Sequence, residues 1–243
     1  MGKVLAACLS GGLLTAGANA INDYFDLEID RINKPERPLP SGRISKKEAL
    51  IFAVVNYAAA NTIAAFISPV ALAICFVFSV LLYFYSALFK RIALLGNLVV
   101  SLATGAAFVY GGAAVGRFGQ ATIPASFAFL MHLGRELIKD MEDIEGDRRN
   151  KARTMPVLFG VLPTQVLTTV ILLLLLIATV LPGVFHIYGK YYLFIVIAGV
   201  HTVLFYTLFS LWLSPHRDTF RRLSALLKLD MLVGLLAIYA GRW

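Results

Sequence analysis

Eight apolar runs dominate this chain: roughly 3–21, 48–67, 70–89, 93–115, 120–138, 158–181, 187–213 and 223–242. A helix needs about 20 such residues to cross the hydrocarbon of a bilayer. Lipid offers no partner for a bare peptide group, so a segment this long and apolar satisfies its own backbone as a helix. The runs are continuous rather than alternating, which excludes a transmembrane barrel. Composition excludes a soluble domain: 59% of the 243 residues are apolar and 15% charged, against about 45–50% and about 25% in soluble proteins. The expected fold is all-α, a polytopic membrane bundle of about eight transmembrane helices in one domain, 1–243. The first run has no clear cleavage site and leads straight into an acidic motif, so it reads as a mature helix rather than a signal peptide. Cys8 and Cys75 both sit in apolar runs and read as packing residues.

The net charge of +8 is a matter of topology rather than of nucleic acid. Eighteen of the 22 Lys and Arg residues fall on one side, in alternate connecting segments and the adjoining ends of the runs, leaving Lys3, Arg117, Lys190 and Arg242 on the other side. The positive-inside rule makes the rich side cytoplasmic. All 14 Asp and Glu residues lie on or nearest that side, 12 of them within 23–48 and 136–147. Topology does not require this of acids. Acids crowded at one membrane face point to a site there.

Two acidic motifs share one register. Asp23, Asp26 and Asp30 stand at i, i+3 and i+7, and Asp140, Asp143 and Asp147 repeat the spacing 117 positions later. Such a trio occupies one stripe of a helix, where like charges repel. A bound polyvalent cation removes the repulsion, and Mg²⁺ takes carboxylate oxygens while leaving room for phosphate oxygens. The register extends into the basic tails. Asp30-Arg31, Asn33-Lys34, Arg37 and Pro40 find echoes in Asp147-Arg148, Asn150-Lys151, Arg153 and Pro156. This is an internal repeat, with halves of about 1–115 and 116–243 expected to set two carboxylate clusters across a central cavity. A carboxylate pair alone would also suit glycoside hydrolysis. Six carboxylates beside Lys and Arg suit a metal-bound diphosphate better.

Asn22-Asp23-x-x-Asp26-x-x-x-Asp30 and Asp143-x-x-x-Asp147 resemble the two aspartate-rich motifs of the UbiA superfamily of intramembrane prenyltransferases. Tyr85-Ser86-Ala87-Leu88-Phe89-Lys90 is similar to its third element, a Tyr and a Lys near the diphosphate. Longer runs, INDYFDLEIDRINKPERPLPSGRIS and GRELIKDMEDIEGDRR among them, resemble the archaeal members that build ether lipids. The resemblance implies transfer of a geranylgeranyl group from geranylgeranyl diphosphate to geranylgeranylglyceryl phosphate, with Mg²⁺ as cofactor and the bilayer as surroundings. It implies nine helices, one ahead of the span entering the first motif; a truncated or mis-called start is the expectation here.

On this reading Asp23, Asp26, Asp140 and Asp143 hold metal, Asp147 joins them as a ligand, and Asp30 completes the set directly or through water. Asn22 orients a carboxylate or contacts phosphate. Lys90 and Tyr85 meet the diphosphate, and Arg37 and Arg43, flanking Pro38-Leu39-Pro40, anchor the acceptor's phosphate. An aromatic quinone precursor is the alternative acceptor within the same superfamily. A cation transporter is a rival from another class, but only Asp230 lies as much as about two turns inside a span, so there is no continuous acidic path. A lipid-binding scaffold without catalysis is the third reading. His132 and His201 have no second ligand at metal spacing and are expected to hydrogen-bond between helices.

Overall fold

The structure, a computed structural model, describes residues 1–242; Trp243 and the side chain of Asn33 lie outside the described residues. Among these residues there are helices and one isolated bridge, Ile92 to Arg153, but no strand. Seven helical segments are long and apolar enough to cross a membrane. The eighth rod, α5 (Phe118–Glu142), has the length but not the composition, because Arg135, Glu136, Lys139 and Asp140 crowd its last turns. The chain divides into two compact units, 1–90 with 106–125, and 91–105 with 126–243.

The first unit is built on α1 (Gly2–Asn33), α2 (Lys46–Ile67) and α3 (Pro69–Ala87). The entry to α2 is a capping box: the Glu48 N–H donates to Ser45 Oγ, and the Ser45 N–H donates to Glu48. Such a box satisfies two amide groups that a helix start leaves unpaired. Ser68 then breaks the chain in an extended conformation and caps α3, whose first residue is Pro69, placed where no N–H is needed. Ala53, Ala60, Ala64 and Ala71 are fully buried. Lipid gives helices no hydrophobic drive to associate, so close backbone approach over small residues does that work. Gly17 is the tightest such point in α1: a Cβ there would meet the Tyr57 ring at 2.8 Å and the Ala53 carbonyl at 3.1 Å. Cys75 is buried in this unit, whereas Cys8 is exposed on the outer face of α1.

The second unit holds residues 126–142 of α5, the short helices α6 (Ile144–Arg149) and α7 (Met155–Phe159), and α8 (Val161–Val184). A rod from Lys190 to Leu213 follows, made of α9 (Lys190–Ile195), a π-helical stretch Val196–His201 and α10 (Thr202–Leu213); α11 (Arg217–Ala240) closes the unit. Its core is larger, built on Ile138, Leu172, Leu175, Leu204, Leu211, Phe220, Leu223 and Leu227. Gly134 lies against Leu172, where a Cβ would come within 2.7 Å. Helix α4 (Leu95–Ala114) contributes 95–105 to this unit and 106–114 to the first. Large apolar side chains such as Phe66, Phe194 and Phe209 point outward and are exposed, as a chain solvated by lipid requires.

Candidate active site

The first stripe lies on one unbroken helix. α1 runs 32 residues, through its apolar stretch and on past Asp23, Asp26 and Asp30. All three carboxylates have cationic partners. A single Arg37 nitrogen donates to Asp23 Oδ1 and to Asp30 Oδ2, each at 2.8 Å. Lys90 Nζ donates to Asp26 Oδ1 at 2.5 Å and to Asn22 Oδ1 at 3.1 Å. Asp30 is only 5% exposed, and a buried carboxylate is costly without such a partner. The structure thus brings Asn22, the three aspartates, Arg37 and Lys90 together. Tyr85 sits partly buried on the last turn of α3, ahead of Lys90. Off the stripe, Glu28 pairs with Arg31.

Arg43 takes a different part. Its guanidinium donates to the backbone carbonyl of Glu36 and to Ser41 Oγ. With the Ser41 N–H on the Arg37 carbonyl and the Ile44 N–H on the Pro38 carbonyl, it closes the loop 34–45 on itself. That loop delivers Arg37 to the stripe.

The second stripe is not carried by one regular helix. α5 ends at Glu142, Asp143 lies between the helices, and Asp147 sits on α6. The aspartate face nonetheless keeps helical register, because the Asp143 N–H bonds the Lys139 carbonyl at 3.0 Å and the Asp147 N–H bonds the Asp143 carbonyl at 2.9 Å. No carboxylate of this stripe makes an ion pair among the described residues. Asp140 accepts from Asn97 Nδ2 at 2.9 Å, and Asp147 accepts from Thr154 Oγ1 at 2.9 Å. Burial pushes the Asp140 carboxyl up to about 7, against the lowering effect of the Asn97 bond. Burial also raises Asp147.

Asn97 and Thr154 are partners of the second stripe that the motifs did not reveal. Asn97 carries one signal, a polar residue in an apolar run, and it is 8% exposed. Thr154 precedes α7 at a capping position, but its hydroxyl makes no cap and serves Asp147 instead.

Among the described residues, no three His, Cys, Asp or Glu side chains converge as a ready metal cage. The donors are nevertheless all hard oxygens, which fits Mg²⁺, an ion that keeps waters and takes one or two carboxylates plus substrate phosphates. The histidines stand outside this chemistry. His201 Nε2 meets Thr179 Oγ1 at 3.0 Å between helices, as expected. His132 differs: it pairs within its own helix, with Glu136 at 3.5 Å.

The profile of the UbiA prenyltransferase family matches residues 2–232. The chain belongs to the UbiA prenyltransferase family. Within it, the digeranylgeranylglyceryl phosphate synthase of Thermococcus kodakarensis is 40% identical over 222 residues, 91% of this chain and 79% of that one. The synthase of the same name from Methanopyrus kandleri is 37% identical, over 99% of this chain and 88% of its own. A solved structure of a digeranylgeranylglyceryl phosphate synthase superposes with a TM-score of 0.86 at 33% identity, covering 98% of this chain and 85% of that one. A UbiA homologue from Archaeoglobus fulgidus, solved with DMAPP and Mg²⁺, shares the fold with a TM-score of 0.64 at 19% identity, covering 98% and 88% of the two chains. The UbiA fold is therefore that of a multi-pass membrane protein, in keeping with the seven apolar helices.

Proposed function

We propose that the protein transfers a geranylgeranyl group from geranylgeranyl diphosphate to the free hydroxyl of geranylgeranylglyceryl phosphate, making the second ether link of an archaeal membrane lipid. The observation that carries this reading is the likeness, along nearly the whole chain, to synthases of that name at 37–40% identity. In the reaction the allylic C1–O bond to the diphosphate breaks and a C1–O bond to the acceptor hydroxyl forms. The hydroxyl proton passes to the released diphosphate or to a motif aspartate. Mg²⁺, when bound, supplies positive charge to the leaving diphosphate. Asp23, Asp26, Asp140, Asp143 and Asp147 are the residues to hold it, with Asp30 direct or through water.

The chain's own residues supply the rest. Lys90 and Arg37 bring cationic donors to the first stripe, and charge-assisted contacts of this kind are the strong ones for phosphate. Tyr85 lies on the same chain segment as Lys90 and adds a hydrogen-bond donor. Apolar helix walls keep water from an allylic cation that water would quench to an alcohol. Arg43, which holds the loop 34–45 in shape, supports the acceptor phosphate through that loop. The basic-rich segments beside these motifs favour the cytoplasmic face for them.

Purified protein given Mg²⁺, labelled geranylgeranyl diphosphate and an equimolar mixture of geranylgeranylglyceryl phosphate and an aromatic quinone precursor tests the assignment. The expected product is the digeranylgeranyl ether alone. Prenylation of the aromatic compound alone would retain the prenyltransferase and overturn the acceptor.

A further inference from the structure

The two stripes differ in one respect that their sequences conceal. On the first, every carboxylate already has a cationic partner: Arg37 bridges Asp23 and Asp30, and Lys90 holds Asp26. On the second, the hydrogen-bond partners are the neutral Asn97 and Thr154. Lys139 acts on Asp140 and Asp147 only through its charge, with no ion pair to either. A divalent ion entering the first stripe would come beside a guanidinium and an ammonium that already sit 2.5–2.8 Å from its carboxylates, and like charges repel. Loading the first stripe with metal is therefore opposed until Arg37 and Lys90 move aside.

Their leaving is itself costly. Arg37 and Lys90 are only 35% and 14% exposed, and a partly buried cation stripped of its partner loses the stabilisation that its burial requires. The placement of Arg37 is also built in, since the loop that carries it is closed by its own bonds from Ser41, Arg43 and Ile44. What releases both cations is an anion that takes over their charge. A diphosphate is such an anion, and it brings oxygens for the metal at the same time.

We infer that Arg37 and Lys90 are exchangeable counter-cations of the first stripe. The second stripe takes up divalent metal by itself, and the first stripe takes it up only together with the diphosphate. Resting on the proposed function for its ligand, this adds an order of assembly and gives Arg37 a positioning role at the diphosphate end. It also keeps the first stripe from holding metal while the donor is absent.

The test is Mn²⁺ binding to the full chain in detergent, followed by electron paramagnetic resonance with and without inorganic pyrophosphate. Without pyrophosphate, the wild type binds Mn²⁺ in a way lost in Asp143→Ala and kept in Asp26→Ala. Pyrophosphate adds further Mn²⁺ that requires Asp26. Arg37→Gln and Lys90→Gln, which free different carboxylates, each strengthen pyrophosphate-free binding at the first stripe by roughly tenfold, the scale of one charge-assisted contact. Two variants on separate ion pairs guard against a folding defect in either one. Full Mn²⁺ occupancy of the wild type without pyrophosphate, or weaker binding in both variants, would overturn the inference and leave the proposed function standing. No Mn²⁺ binding under any condition would overturn the proposed function itself.

Discussion

Asp26 and Asp143 lie on separate segments, and each is the middle carboxylate of its stripe. Asp26→Ala and Asp143→Ala are each expected to lower turnover by more than about a hundredfold, the scale of losing a principal electrostatic contact to a leaving group. Steady-state assays at saturating Mg²⁺ measure this, and turnover within a few-fold of wild type in either variant would remove the metal-site reading. Asn97 gives a subtler case. Its amide fixes one Asp140 oxygen, so Asn97→Ala should weaken the apparent Mg²⁺ affinity by about ten- to a hundredfold, as loss of a ligand's supporting bond does. Titrating activity against Mg²⁺ gives the value; an unchanged midpoint would make Asn97 a packing residue. The aspartates stood out because they form spaced motifs, and Asn22 and Lys90 because their segments resemble the family's. Asn97 and Thr154 did not, because a lone polar residue names no partner until the chain folds. The ion pair of Arg37 with Asp23 and Asp30 was hidden for the same reason, since seven and fourteen positions separate the partners.

At the scale of helices, the apolar runs and the rods agree closely, because a span in lipid has no alternative backbone structure. The departures come where polar residues enter. The run 120–138 is a rod but falls short of the apolar set, since α5 carries charged residues into its last turns. The second stripe reads as one helix by spacing, yet α5 stops before Asp143 and only the carboxylate face keeps the ladder. Three equivalent positions cannot reveal that break. Packing on α1 yields a direct prediction. Gly17→Leu would drive a side chain into the Tyr57 ring and the Ala53 carbonyl. Ring rotation cannot clear a backbone carbonyl, so the cost should be about 1–3 kcal/mol, the usual range for overpacking. A thermal melt in detergent should show a lowered midpoint; an unchanged one would mean that α1 and α2 pack less closely than described.

For the molecule as a whole, the basic residues assign an orientation. Lys47 at the start of α2 and Arg117 after α4 lie in segments assigned to opposite sides of the membrane. In a background lacking the exposed Cys8, Lys47→Cys should react with an impermeant maleimide only from the cytoplasmic side, and Arg117→Cys only from the other. The reverse pattern would invert the topology and move the motifs to the outer face.

The most direct measurement is product analysis after reconstitution in liposomes with labelled geranylgeranyl diphosphate, geranylgeranylglyceryl phosphate and Mg²⁺. Mass spectrometry should find a glycerol phosphate carrying two geranylgeranyl ethers, absent with EDTA and restored by added Mg²⁺. A well-folded, reconstituted protein that forms no such ether at any Mg²⁺ concentration would contradict the assignment.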